Sequence, residues 1–156
     1  MSREPGRERM RELIDAGEVE RVTPDLTIAR RMLEDAGRHL ATASQAKVAG
    51  DLSGAYQLAY DALRKSAASL LEAQGLRATS RGGHLAVQEV VTAQFGTTVR
   101  IFRSFGRVRR ARNSFEYPSS NSPGPTRADI DDAIAVATQA REAATTILDQ
   151  DVLTRW

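Results

Sequence analysis

Six arginines lie between Arg100 and Arg112 with no acidic residue among them. They end in the run Arg109-Arg110-Ala111-Arg112-Asn113-Ser114-Phe115-Glu116-Tyr117-Pro118. A guanidinium keeps its charge at any accessible pH and presents a rigid fork of donors, so a cluster of this kind suits phosphate oxygens. The bland alternative is a solvated surface. A helical wheel separates the two cases. With Ile101 as zero and roughly 100° per residue, Phe105, Val108 and Phe115 fall within roughly 40° of it. Arg112 falls at roughly 20°, inside that apolar stripe. Arg103 and Arg110 point to the opposite side, with Arg100 and Arg107 beside them and Arg109 between. Arg112 therefore either meets a carboxylate, with Glu116 its i+4 neighbour, or is presented in a cleft or across a subunit interface. The outward arginines offer an electrostatic footprint for phosphates, or simply solubility.

Few other residues offer chemistry. The chain has two histidines, far apart, and no cysteine. That excludes a disulfide framework, a thiolate metal site and a cysteine nucleophile, and gives no recognisable metal spacing. His84, after the flexible Ser80-Arg81-Gly82-Gly83, reads as a cap or packing residue, and His39 beside Leu40 as a boundary residue. Asp61 reads as a solvated acid or as a partner for Arg64 or Arg112. No phosphate-binding glycine loop, zinc-protease motif or nucleophile elbow is present, so no metal and no cofactor are expected.

The elements that must position these residues are helical. At 156 residues, 41% hydrophobic and 27% charged, the chain suffices for one soluble domain with its own core. No segment approaches the ~18 apolar residues of a membrane span, and the charged amino terminus is unlike a secretory signal. A cytoplasmic location is the expectation. Residues 1–24 read as an accessory segment, disordered before Glu8 and with a helical turn around Glu8–Ala16 that docks Leu13 and Ile14.

Residues 25–156 read as a helical bundle. A first long helix runs from Pro24-Asp25 to about Ala49, and Gly50-Asp51 turns the chain into a second that ends at Gln74 before Gly75. The short link predicts an antiparallel hairpin. Leu76–Gly83 reads as a loop. A shorter helix over His84–Gln94 and a fourth over Thr97–Glu116 follow. The proline-rich stretch 117–125 precedes a last helix, capped by Thr126 with Asp129 and reaching about Leu153. No strand-like alternation is visible. The fold class is all-α: an antiparallel bundle of four main helices plus short accessory helices.

The order of these segments resembles a known family. Tyr60-Asp61-Ala62-Leu63-Arg64 in the second helix precedes the Gly75-Leu76 stop. Gly83-His84 then opens a short helix, and an arginine-rich helix closes on Arg112-Asn113-x-x-Glu116-Tyr117-Pro118. This pattern is similar to HEPN domains, the four- to five-helix bundles named for higher eukaryotes and prokaryotes nucleotide-binding, over roughly Asp25–Leu153. The resemblance implies an RNA-binding or metal-independent ribonuclease-type protein, set in a toxin–antitoxin or defence system. It implies a homodimer through the second and fourth helices, and an antitoxin or nucleotidyltransferase as partner. By the same resemblance Arg112, Asn113, Glu116 and Tyr117 would form the catalytic cleft, and Arg103, Arg107, Arg109 and Arg110 would add RNA contacts. The family's catalytic His, four to six residues beyond the Arg, corresponds to Tyr117. A phenol with a reference pKa of about 10 is a poor general base at neutral pH, though it can stack, donate a hydrogen bond or accept nucleotidylation. The alternative from another class is a non-catalytic helical interaction module that binds a protein partner or nucleotide, with Arg112–Glu116 a structural pair. A DNA-binding regulator ranks lowest, because no helix-turn-helix accompanies the arginine helix.

Overall fold

The computed structural model describes residues 5–156, which form α1 (Arg7–Asp15), β1 (Val19–Arg21), α2 (Leu26–Val48), α3 (Leu52–Gln74), β2 (Leu76–Ala78), α4 (Gly83–Phe95), α5 (Phe105–Glu116) and α6 (Arg127–Asp149). A 3-10 turn over Arg100–Ser104 leads into α5. Of the stretch before Glu8 expected to be disordered, residues 1–4 lie outside the described residues, whereas Pro5-Gly6 form a turn that leads into α1 at Arg7.

Local chemistry explains the main boundaries. The Asp25 carboxylate accepts from Ile28 N–H and starts α2, and Asp51 does the same for α3 through Gly54 N–H. Between them Gly50 adopts φ 85° and reverses the chain. The hairpin packs through small residues, with Ala29, Ala36 and Ala43 of α2 and Ala55, Ala59 and Ala62 of α3 fully buried. α6 also runs antiparallel to α2: Lys47 pairs with Asp131 at one end, and Arg30 with Asp149 at the other. Gly37 has no side chain where Arg141 crosses α2, so the Arg141 Nε donates to Leu33 O at 2.7 Å.

α3 lies at the centre and is buried on most of its circumference, as a helix enclosed by neighbours must be. Its buried Ser66 and Ser69 hydroxyls donate to carbonyls of their own helix, Ala62 O and Ser66 O. Gln74 and Gln94 exchange two 2.9 Å amide hydrogen bonds between α3 and α4.

Three expectations are corrected. The first is the absence of strands: Val19–Arg21 and Leu76–Ala78 pair antiparallel in the register Val19↔Ala78, Glu20↔Arg77, Arg21↔Leu76. Three residues are too few to show alternation, so the pairing had no sequence signature. Val19 and Leu76 are buried beside Met10 and Leu13 of α1, so residues within 5–24 contribute to the common core.

The second is the fourth helix, which starts at Phe105 and not at Thr97. Phe102 and Phe105 are both fully buried. Their three-residue spacing is met by a 3-10 turn, where i and i+3 eclipse. The third is α6, which stops at Asp149. Asp151 takes φ 51°, and Val152, Leu153 and Trp156 fold back on the core, with Trp156 N–H donating to Gln74 O at 2.8 Å.

A polar seam between three helices as the candidate site

Three helical stripes converge on one seam. α3 contributes Gln57, Tyr60, Asp61 and Arg64, which recur at three- and four-residue spacing and so share a face. α5 contributes Arg109, Arg112, Asn113 and Glu116 on the same geometry, and α4 contributes His84 and Gln88, one turn apart.

Arg112 occupies the centre. Its Nε donates to Gln57 Oε1 at 3.0 Å and its Nη1 to Asn113 Oδ1 at 3.1 Å. Nη1 also lies 2.7 Å from Glu116 Oε2, so the i+4 pair offered by the sequence forms. The guanidinium carbon sits 5.4 Å from the Tyr60 ring centroid, a cation–π contact. With its side chain 18% exposed, Arg112 is held in place yet reachable. Its Nη2 group makes no hydrogen bond to the described residues.

A cleft of about 450 Å³ opens beside it between the first turns of α3 and the end of α5. Gln57, Phe115, Glu116 and Pro118 line this cleft with Arg112. Phe115 is braced edge-on against Tyr56 at 4.9 Å, which leaves a partly exposed aromatic surface next to the guanidinium.

His84 joins the seam through Tyr60. Its Nδ1 is 2.9 Å from the hydroxyl of fully buried Tyr60, while the imidazole reaches the surface. Burial pushes the Tyr60 phenol up to about 12, against the opposing pull of Arg64, Arg112 and Arg109. Burial also lowers the His84 pKa, and the positive charges of Arg64 and Arg112 lower it further, with Asp61 acting in the opposite sense. Burial and the neighbouring arginines together favour the uncharged imidazole.

The remaining arginines divide. Arg109 Nε donates to Gln88 Oε1 at 2.8 Å, which ties α5 to α4 at the seam. Arg110 is exposed. Arg107 pairs with Asp132 of α6 at 2.6 Å, and Arg103 Nε donates to Gly96 O at 2.6 Å, at the end of α4. Arg103 and Arg107 are thus tied into the scaffold. Asp61 faces Arg64, at 3.4 Å, rather than Arg112.

Of the residues singled out in the sequence, Arg112, Asn113 and Glu116 come together, and Arg109 joins the seam. Tyr117 does not: it is 74% exposed at the end of α5, outside the lining of the cleft. Sequence reasoning passed over Gln57 and Gln88 and took His84 for a cap or packing residue. Tyr60 and His84 both lay in the segments that carry the family resemblance, but nothing local to either shows that the two side chains meet.

Such a seam can hold an anion on a preset guanidinium, place a flat ring against Phe115, and exchange a proton at an oriented imidazole. Comparison with known proteins gives no matching family model, no similar curated protein and no similar solved structure.

Proposed function

We propose that this chain is a HEPN-like RNA-binding protein in which Arg112 receives a backbone phosphate. The observation that carries the reading is the state of Arg112: a part-buried guanidinium oriented by Gln57, Asn113 and Glu116, its Nη2 hydrogen-bonded to none of the described residues, at the edge of an open cleft. Arg109 and Arg110 extend the positive surface, and Phe115 offers a face for a base. Two copies meeting through α3 and α5 would double the site, and a toxin–antitoxin or defence setting with a nucleotidyltransferase partner fits an RNA-directed bundle. Purified protein titrated with tRNA and mixed single-stranded RNA tests the reading. Binding that drops at least tenfold in Arg112→Ala and only partly recovers in Arg112→Lys supports it, because lysine restores charge but not the fork. RNA affinity that does not depend on Arg112 ends it.

The Arg112–Glu116 pair at 2.7 Å favours a second reading, a non-catalytic interaction module with that pair as a structural tie. It predicts that Arg112→Ala lowers the melting temperature while leaving any RNA affinity unchanged.

A further inference from the structure

We propose that the cleft beside Arg112 selects guanine, with Glu116 accepting from the N1–H and the 2-amino group of the base and Phe115 stacking on it. The inference rests on the RNA-binding reading above and deepens it from phosphate binding to a choice of base.

Glu116 is the group that phosphate binding leaves unexplained. It is exposed and lines the cleft with Gln57, Arg112 and Phe115. A carboxylate beside an RNA backbone repels it, whereas a ligand that carries hydrogen-bond donors gains from it. The Glu116 Oε2 lies 2.7 Å from Arg112 Nη1, and Oε1 pairs with none of the described residues. Gln57 is oriented by the same guanidinium, which has donors only. Its Oε1 therefore accepts from Arg112 Nε at 3.0 Å, and its Nε2 hydrogens are left as donors, bonded to none of the described residues. One guanidinium thus holds an amide donor and a carboxylate acceptor together at the wall of the cleft.

That pairing matches one base. Guanine alone among the four RNA bases presents two adjacent donors, N1–H and the 2-amino group, beside an acceptor, O6. The two carboxylate oxygens of Glu116 take the donors, and Gln57 Nε2 donates to O6. Adenine and cytosine offer one amine beside an unprotonated ring nitrogen, which would face a carboxylate oxygen lone pair to lone pair. Uracil sets its one N–H between two carbonyls, and the carboxylate repels both. Phe115 supplies the platform. It packs against Tyr56 at 4.9 Å with the rings 78° apart, so at least one face of the Phe115 ring is clear of that neighbour. The phosphate on Arg112 and the base on Glu116 belong to one strand.

The test is fluorescence anisotropy of the full chain with uridine hexamers that carry one guanosine, inosine, adenosine or cytidine. The guanosine strand is expected to bind about tenfold more tightly than the inosine strand, which lacks only the 2-amino group, and than the others. Glu116→Gln is expected to lose that advantage and to bind the adenosine strand at least as well as wild type does, because a repelling charge is gone. Phe115→Leu, which keeps an apolar side chain against Tyr56, is expected to weaken all strands about tenfold. An unchanged affinity there overturns the stacked pose. Guanosine and inosine strands bound alike, or another base preferred, overturn the inference, and that comparison needs only the wild type. A Glu116→Gln variant that weakens every strand by one factor also overturns it, since Glu116 then acts only by holding Arg112. Binding that still depends on Arg112 in those cases leaves the RNA-binding reading standing. Loss of any Arg112-dependent binding brings both down.

Discussion

A guanidinium set into an apolar stripe must find acceptors or be driven out of the core, and Arg112 finds three, two within about a turn of its own helix and one on α3. Its phase was legible in the sequence because helical periodicity alone places it. Its partners were legible only in part. Asn113 and Glu116 are local, whereas Gln57 lies 55 residues away and is brought in by packing. Magnitudes decide what Arg112→Ala does to the fold. Stripping one partner from a fully buried pair costs about 3–5 kcal/mol. Glu116 is 36% exposed and can rehydrate, so the expected loss is about 1–2 kcal/mol, read by urea denaturation. A second outcome concerns His84. Its folded pKa lies below the usual 6.5, so as pH falls through 6.5 the unfolded chain binds a proton that the folded chain refuses. Stability contributed by the neutral imidazole is therefore present above that pH and declines below it. Wild type should lose more melting temperature between pH 7 and pH 5.5 than His84→Gln. Equal losses would mean that His84 is not held neutral by the fold.

Element boundaries followed the residues that set them locally. Asp25, Asp51 and the Thr126–Asp129 capping box begin helices where side-chain acceptors meet orphan N–H groups, and each of these starts was readable from the chain. What escaped were features created by contact: a strand pair of three residues each, and a 3-10 turn imposed by burying Phe102 and Phe105 together. Gly75 joins the two kinds of element. It ends α3 at φ 75°, and its carbonyl accepts from Val22 N–H beside the strand pair. A Cβ there would stand 2.6 Å from Val22 O and 2.9 Å from a Pro24 carbon. Gly75→Ala adds that clash to the strain of a left-handed L-residue, so it should destabilise the fold by more than ~1 kcal/mol. Chemical denaturation together with amide exchange at Val22 and Leu76 measures it. A neutral effect would show that the β1–β2 junction is not fixed by this residue.

Across the whole molecule the net charge is only +2, so any attraction for a polyanion must come from where the arginines are left free. The sequence showed the cluster but could not rank its members, because Asp132 and the Gly96 carbonyl arrive from other elements. With Arg103 and Arg107 held there, Arg109, Arg110 and Arg112 remain on or near the seam. Each phosphate neutralised on a single strand contributes about −0.7 to the slope of log K against log salt. Three contacts per chain therefore predict a slope of about −2. Arg110→Ala should reduce its magnitude by about 0.7 and weaken binding evenly across RNA sequences, since a phosphate contact carries no base information. Arg107→Ala should leave the slope unchanged and lower stability slightly, because its exposed bridge to Asp132 is worth about 0.2–1 kcal/mol. A slope that responds to Arg107 and not to Arg110 would place the RNA on the α5–α6 face. The seam around Arg112 would then be an internal tie of the fold and not its binding surface.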